Sequence, residues 1–233
     1  MRETAKPKNR LLAALPKNEY QRLLPKLEQI DLIYTETIYE PNGIIRFVYF
    51  PESGIISLLS AVGENLMLEV GIVGNEGIIG LPLFLGVETS GNHALVQGAG
   101  SALRMTAADF LEECKNGDEL GRVLQRFTHS LMTQISQSAA CNRFHPIEVR
   151  LARWLLITGD RMQADKFQIT QEFLSNMLGV RREAVNKAAT NLQQQKLIAY
   201  SRGNISILNR RGLEAAACRC YQIIKKDYEN FLK

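Results

Sequence analysis

Residues 169–195 constrain the fold more than any other stretch of this chain, because two short helical patterns meet there at one glycine. Thr170 is placed to cap the first helix. The buried positions of that helix are Phe173, Leu174 and Leu178. Gly179 ends it, since a tight turn needs a residue that tolerates a positive φ angle. The second helix has apolar positions at helical spacing: Val185, Ala188, Ala189 and Leu192. The pattern predicts a helix-turn-helix unit.

The second helix of this unit carries a polar face at its N-terminal end. Its members are Arg182, Glu183, Asn186 and Lys187. In a helix-turn-helix protein this part of the second helix enters the major groove of DNA. There Arg can donate two hydrogen bonds to guanine, Glu can accept one from cytosine, and Lys can reach guanine or a phosphate. We therefore predict base contacts from these four side chains. Phosphate contacts, which set register without reading sequence, are predicted for Thr170, Gln171, Arg181 and Arg202.

Two features outside the hairpin favour duplex DNA over an ordinary helical hairpin with a charged face. Residues 196–200 and 204–208 read as two strands around a turn, which makes a β-wing with Arg202 at its tip. The charge is also asymmetric along the chain. Residues 1–142 hold 12 Lys and Arg against 16 Asp and Glu, whereas residues 143–233 hold 16 against 8. A basic C-terminal part behind an acidic remainder is typical of a nucleic-acid-binding domain on a separate sensor or partner domain.

The first half of the chain is rich in short β patterns. They cover residues 33–39, 44–50, 55–61, 66–72, 94–97 and 101–105. Turn clusters separate them at residues 40–43, 50–54, 63–65 and 98–100. Short strands at this spacing predict a small antiparallel sandwich or barrel.

A long helix is predicted over residues 118–142, with an apolar seam that resembles a coiled coil. The seam consists of Leu120, Leu124, Phe127, Leu131 and Ile135, and we predict that it forms a dimer interface. A second apolar set, Val123, Met132 and Ala139, lies off the seam. The alternative is an amphipathic helix buried within one domain. Pro146 then begins a new helix, and the predicted domains are residues 1–117, the helix 118–142 and residues 143–233.

Composition and motif content indicate the cellular location, the state of the cysteines and the absence of enzymatic motifs. No run of about 18 apolar residues and no secretory leader is visible, so we predict a cytoplasmic protein without a membrane span. The cysteines Cys114, Cys141, Cys218 and Cys220 suit a reducing compartment. Cys218 and Cys220 would point to different sides of a helix, so core packing is predicted for them and no metal site. Phosphate-binding, zinc-protease and serine-nucleophile motifs do not occur, and no enzymatic activity is predicted.

Taken in order, these patterns resemble the Crp/Fnr family of bacterial transcription regulators over nearly all 233 residues. The most similar motif is GVRREAVNK at residues 179–187, where the resemblance implies base contacts by Arg182, Glu183 and Lys187. Many members have Arg at the last of these positions. The implied fold is α+β: an antiparallel β-roll of the cyclic-nucleotide-binding type, a dimerisation helix and a winged helix-turn-helix. The implied partners are a near-palindromic DNA site, a second copy of the chain and RNA polymerase.

The resemblance does not extend to the family's known effectors. Members that bind cyclic AMP hold its phosphate with an Arg inside the roll, but no Arg occurs between Arg46 and Arg104. Asn92 stands at that position, with His93 beside it, so cyclic AMP binding is not predicted. Iron–sulfur members carry N-terminal cysteines, whereas the first cysteine here is Cys114. A lone His93 does not predict haem. No cofactor is identified and no effector pocket is assigned. The roll either binds an unrecognised small molecule or serves as an unliganded dimerisation platform. The competing function is a sensor or adaptor that acts through protein contacts.

Overall fold

A computed structural model describes residues 7–61, 67–116 and 118–231. The helices are α1 (Arg10–Ala13), α2 (Lys17–Leu23), α3 (Ala107–Asn116), α4 (Asp118–Phe144), α5 (Ile147–Met162), α6 (Gln171–Leu178), α7 (Arg182–Gln194), α8 (Arg210–Ala216) and α9 (Arg219–Asn230). The strands are β1 (Glu28–Leu32), β2 (Thr37–Tyr39), β3 (Phe47–Ala61), β4 (Met67–Val73), β5 (His93–Thr106), β6 (Lys166–Gln168), β7 (Ile198–Ser201) and β8 (Asn204–Ile207). None of the described helices is both long enough and apolar enough to cross a membrane.

The first five strands form the predicted antiparallel β-roll, in the order β1-β5-β3-β4 with β2 also paired to β5. Its strands are longer than the sequence predicts. The turn signals at residues 50–54 and 98–100 lie within β3 and β5, where the register shifts between Pro51 and Ile56. Gly54 has a φ angle of +78°, and a Cβ on Gly100 would collide with the backbone of Ser53. These residues are β-bulges that bend two continuous strands, not loops between separate ones.

Strand β1 was not predicted, and the strand predicted from residue 44 begins at Phe47. Residues 33–36 connect β1 to β2, so the strand predicted over residues 33–39 is shorter. The strand predicted over residues 66–72 is β4, although its first residue lies outside the described residues. The turn predicted at residues 63–65 also lies outside them.

Helix α4 packs its apolar seam against its own roll, which corrects the predicted dimer seam. Leu120, Leu124, Phe127 and Leu131 are buried in the roll's core, and Ile135 is half-buried against it. Gly77 has no Cβ where the ring of Phe127 sits. The alternation of apolar residues correctly predicts a buried stripe, but periodicity alone does not say whether the roll or a second chain covers it.

The face of α4 opposite the seam is open to solvent. Met132 is 62% exposed, and Ala139 is exposed about two turns beyond it, whereas Val123 from the same predicted set is buried. The buried side of α4 includes a polar residue beyond Leu131. Gln134 is buried and bonds both backbone groups of Ile72, accepting from N–H at 2.9 Å and donating to C=O at 3.1 Å.

The C-terminal part is built around α5, whose side chains are buried on nearly every side. The wing is a three-stranded sheet in the order β6-β8-β7, of which β6 was not predicted. Helix α5 begins directly after Pro146, as predicted, and runs from Ile147 to Met162. Its core continues into the roll, because Ile55, Leu59 and Ile72 pack with Trp154 and its neighbours. The predicted limits of the three domains stay a prediction.

Candidate nucleic-acid interface

The turn of the helix-turn-helix has the predicted local geometry. Thr170 Oγ1 accepts a hydrogen bond of 3.1 Å from the backbone N–H of Phe173 and so caps α6. Gly179 ends α6 with a φ angle of +61°. Leu174 and Val185 are fully buried where α6 and α7 pack. Phe173, predicted to be buried, is only half-buried, and its ring lies 6.2 Å from the ring of Tyr34 in the roll.

All four side chains predicted to contact bases lie on the exposed face of α7. They are Arg182, Glu183, Asn186 and Lys187. Gln171 of α6 joins two of them: its Nε2 donates to Asn186 Oδ1 at 3.1 Å, and its Oε1 accepts from Arg182 Nε at 3.5 Å. Gln171, which is predicted to contact phosphate, therefore lies directly beside two of the residues that are predicted to contact bases. Arg181, at the N-cap of α7, is also exposed.

A groove with a volume of about 340 Å³ lies between the start of α7 and the wing. It is lined by Thr170, Gln171, Arg182, Tyr200, Ser201, Arg202 and Gly203. The wing is fixed to α6 by two bonds to Ile169, whose N–H donates to Gly203 C=O at 2.6 Å and whose C=O accepts from the Tyr200 hydroxyl at 2.9 Å. Arg202 is exposed at the wing tip. Two guanidinium groups thus border one groove, an arrangement that can hold a phosphate backbone.

A polar network that the sequence does not predict joins the roll to α5. Trp154 Nε1 donates to Glu69 at 2.8 Å, and Arg161 forms a buried ion pair of 2.9 Å with Glu76. Gln97 donates to Thr158 at 3.4 Å. The partners are 61 to 85 residues apart in the chain. We call these six residues and Ser57 the interdomain network.

The Glu69 carboxyl group of the interdomain network has a raised pKa. Burial raises its pKa to about 7, against hydrogen bonds from Ser57 and Trp154 and the charges of Arg153 and Arg161, which lower it. The Ser57 hydroxyl has one hydrogen but lies within bonding distance of two acceptor oxygens, Glu69 Oε2 and Gln97 Oε1. A protonated Glu69 that donates to Ser57 satisfies this arrangement.

The roll contains a cavity of about 210 Å³ against α4. Among the described residues that line it, none is charged, and its polar groups come from Tyr39, Ser90, Asn92 and Thr128. Asn92, which stands where cyclic-AMP-binding members have the phosphate Arg, lines this cavity. His93 does not line it; its ring is buried, with Nε2 3.0 Å from Thr37 Oγ1 and Nδ1 3.4 Å from Met67 Sδ.

Three cysteines and a histidine meet at the end of α4, where the sequence predicts only core packing. The ligand atoms of Cys141, His145, Cys218 and Cys220 all lie within 4.8 Å of one another. We call these four residues the thiol cluster. Cys218 precedes α9 as its N-cap, with a ψ angle of 161°, so it does not share helical geometry with Cys220 and both can face the same point. The hydrogen bond that Cys141 donates lowers the pKa of the Cys218 thiol.

One signal in the sequence could have revealed the cluster. Cys141 is in the last turn of α4, and His145 directly follows that helix with its backbone N–H still bonded to the Cys141 carbonyl at 3.1 Å, so the spacing of four residues brings the two side chains to the same side. The other pair comes from a helix that folds back on α4 from 77 residues away, and this return is not visible in any local pattern.

Comparison with known families and structures agrees with this geometry. Residues 149–216 match the family model of the Crp-like helix-turn-helix domain. No curated protein matches the chain. Among solved structures, FixK2 from Bradyrhizobium japonicum is similar with a TM-score of 0.70 at 15% identity, over 82% of this chain and 98% of that one.

Two further structures show the same fold. A putative Crp/Fnr-family transcriptional regulator from Eubacterium rectale has a TM-score of 0.67 at 16% identity, over 88% of this chain and 96% of its own. The c-di-GMP-responsive global regulator CLP from Xanthomonas campestris has a TM-score of 0.67 at 14% identity, over 82% and 99%. The chain therefore carries a Crp-like helix-turn-helix domain on the fold of the Crp/Fnr transcription regulators.

Proposed function

We propose that the protein is a sequence-specific transcription regulator whose α7 reads bases in the major groove. The observation that carries the proposal is the exposed face of α7, where Arg182, Glu183, Asn186 and Lys187 stand free of the core on a helix fixed by a capped, glycine-ended turn. Thr170, Gln171, Arg181 and Arg202 surround that face and would contact phosphates. Lys187 would reach a guanine or a phosphate as a point charge, without the bidentate fork of an arginine.

The protein would bind a near-palindromic site as a homodimer, because a two-fold protein matches a two-fold site. The seam of α4 is covered by the roll, so the dimer would use the opposite face. Met132 is exposed there, and Ser136, Ala139 and Ala140 are small enough for two helices to approach closely. Contact with RNA polymerase, in the cytoplasm, is proposed from the family alone and is not assigned to a surface.

The roll would not respond to cyclic AMP. A cyclic phosphodiester needs a fixed cation in its pocket, and the cavity beside α4 is lined by apolar and neutral polar groups. Glu76, in the loop that follows β4, is engaged in a buried ion pair with Arg161 of α5. The fold itself is compatible with other signals, since one similar structure is described as responsive to c-di-GMP. Cyclic AMP is expected to leave the thermal unfolding temperature unchanged, whereas a ligand of the folded state would raise it.

The test is selection of bound duplexes from a random pool by the full-length protein. We expect enrichment of two inverted half-sites whose centres are about one helical turn, 10–10.5 bp, apart. Arg182→Ala should change or abolish the enriched motif, whereas Arg46→Ala, which removes an exposed charge from the roll, should preserve it. If no motif is enriched and the protein instead retains its partners through protein contacts, the adaptor function replaces this proposal.

A further inference from the structure

We propose that the thiol cluster binds one Zn²⁺ ion, with Cys141, His145, Cys218 and Cys220 as its four ligands. Cys141 Sγ lies 3.5 Å from Cys218 Sγ, and Cys220 Sγ lies 3.7 Å from His145 Nδ1. Zn–S bonds of about 2.3 Å and Zn–N bonds of about 2.0–2.1 Å place the ligand atoms of a tetrahedral site about 3.5–3.8 Å apart. Both pairs are already at that spacing, and no two ligand atoms are more than 4.8 Å apart.

The donor set selects the class of metal. Three thiols and one imidazole form a soft, closed tetrahedral set of the kind found in structural zinc sites. The four atoms converge on a single point, which leaves room for one ion. A cluster of several irons and sulfides would hold its ligands farther apart, around a larger body.

Buried positive charge lies beside the thiol cluster. Cys141, Cys218 and Cys220 are buried, and two buried arginines of α5 interact electrostatically with the cluster: Arg150 with Cys141, and Arg153 with Cys141 and Cys220. The Nε atoms of both arginines are buried without a hydrogen-bond partner. Three thiolates around Zn²⁺ carry one net negative charge, which would compensate part of this buried positive charge.

The ion would fasten three elements at the junction between the roll and the DNA-binding part. Cys141 is in the last turns of α4, and His145 immediately precedes Pro146, where α5 begins. Cys218 and Cys220 belong to the start of α9, which packs along α4. Zinc would therefore hold α9 against the α4–α5 connection, and its removal should lower the thermal unfolding temperature.

The experiment starts from untagged full-length protein, purified under reducing conditions and analysed for metals by mass spectrometry. We expect one zinc per chain, with X-ray absorption reporting three sulfur ligands and one nitrogen ligand. The Cys218→Ser/Cys220→Ser variant should lose the zinc. Cys114→Ser is the matched control, because Cys114 lies on α3 outside the cluster, and it should retain one zinc per chain.

A second measurement does not depend on a variant that folds. Zinc is removed from the wild-type protein with a chelator, and Co²⁺ is then titrated under argon with reduced thiols. One equivalent should produce the intense visible absorption of tetrahedral thiolate-bound Co²⁺, and Zn²⁺ should displace it. The proposal is overturned if the reduced protein takes up neither ion, if it holds iron and sulfide instead, or if the double variant retains as much zinc as the wild type.

Discussion

Trp154 donates a hydrogen bond of 2.8 Å from its indole Nε1 to the carboxyl group of Glu69, and this bond joins α5 to strand β4 of the roll. Because Glu69 titrates near neutral pH, the contact between the two parts of the protein carries a protonation site. The contributions of Glu69 and of the neighbouring ion pair between Glu76 and Arg161 can be measured separately.

The protonation of Glu69 predicts a pH-dependent stability. Its pKa rises from 4.5 to about 7 on folding, so the folded state binds a proton that the unfolded state releases. The resulting stabilisation is complete below pH 4.5 and is lost as pH rises through 7. Glu69→Gln removes the titration and should flatten this part of the profile by about 1–3 kcal/mol between pH 5 and 8. Urea unfolding at each pH measures it. An unchanged slope in the variant would contradict the assignment to Glu69.

The buried ion pair between Glu76 and Arg161 predicts a large loss of stability when one partner is removed. Glu76→Gln leaves a buried guanidinium without its carboxylate, and we expect the free energy of unfolding to fall by about 3 kcal/mol. Glu28→Gln is the control, because its pair with Arg104 has the same kind of geometry at 2.8 Å but is solvent-exposed. That change should cost less than about 1 kcal/mol. Equal decreases in the free energy of unfolding would show that the buried pair of Glu76 and Arg161 matters no more to stability than the exposed pair of Glu28 and Arg104.

Replacing Gly179 should disturb both the turn that ends α6 and the contact of that turn with the roll. Its φ angle is +61°, and an added Cβ would lie 2.8 Å from Leu68 Cδ1. Gly179→Ala should therefore lower the free energy of unfolding by more than about 1 kcal/mol. Gly121→Ala is the matched change in open space within α4 and should raise it by about 0.5–1 kcal/mol. Chemical denaturation decides both signs, and a neutral Gly179→Ala would argue against the strained turn.

The exposed face of α4 predicts which substitution disrupts a dimer. Met132→Glu would place two charges at the proposed interface, and sedimentation should show at least a tenfold weaker association, a loss of about 1.4 kcal/mol. Ile44→Glu alters a comparably exposed apolar residue of the roll, which is 68% exposed, and should leave association unchanged. A wild-type protein that is monomeric on its DNA site would refute the homodimer.

The sequence predicts local geometry well here and long-range pairing poorly. Thr170 caps α6 with its side chain three residues away, Gly179 acts through its own φ angle, and Arg182 and Lys187 are exposed by helical periodicity, so these features are readable from spacing alone. Gly98 and Gly100 look like a turn in the sequence, but they are glycines because a Cβ there would collide with Met162 and with the backbone of Ser53 across the bulge. The periodicity of the apolar stripe that contains Leu124 does not show whether the roll or a second chain covers it.

The remaining features depend on contacts between distant parts of the chain. The ion pair of Glu76 and Arg161 requires α5 to dock on the roll, and no local pattern carries that information. The thiol cluster depends on the return of α9 to α4 and on Cys218 lying just outside the helix.

The proposal that α7 enters the major groove is tested most directly by the affinity of Arg182→Ala and Arg202→Ala for the selected site and for a scrambled duplex, over a range of salt concentrations. Arg182→Ala should weaken discrimination at one base pair of each half-site by about 1–3 kcal/mol. Arg202→Ala should weaken binding to both duplexes alike and reduce the salt dependence by about one phosphate contact. If Arg182→Ala leaves discrimination at every base pair unchanged, α7 does not read the site in this way.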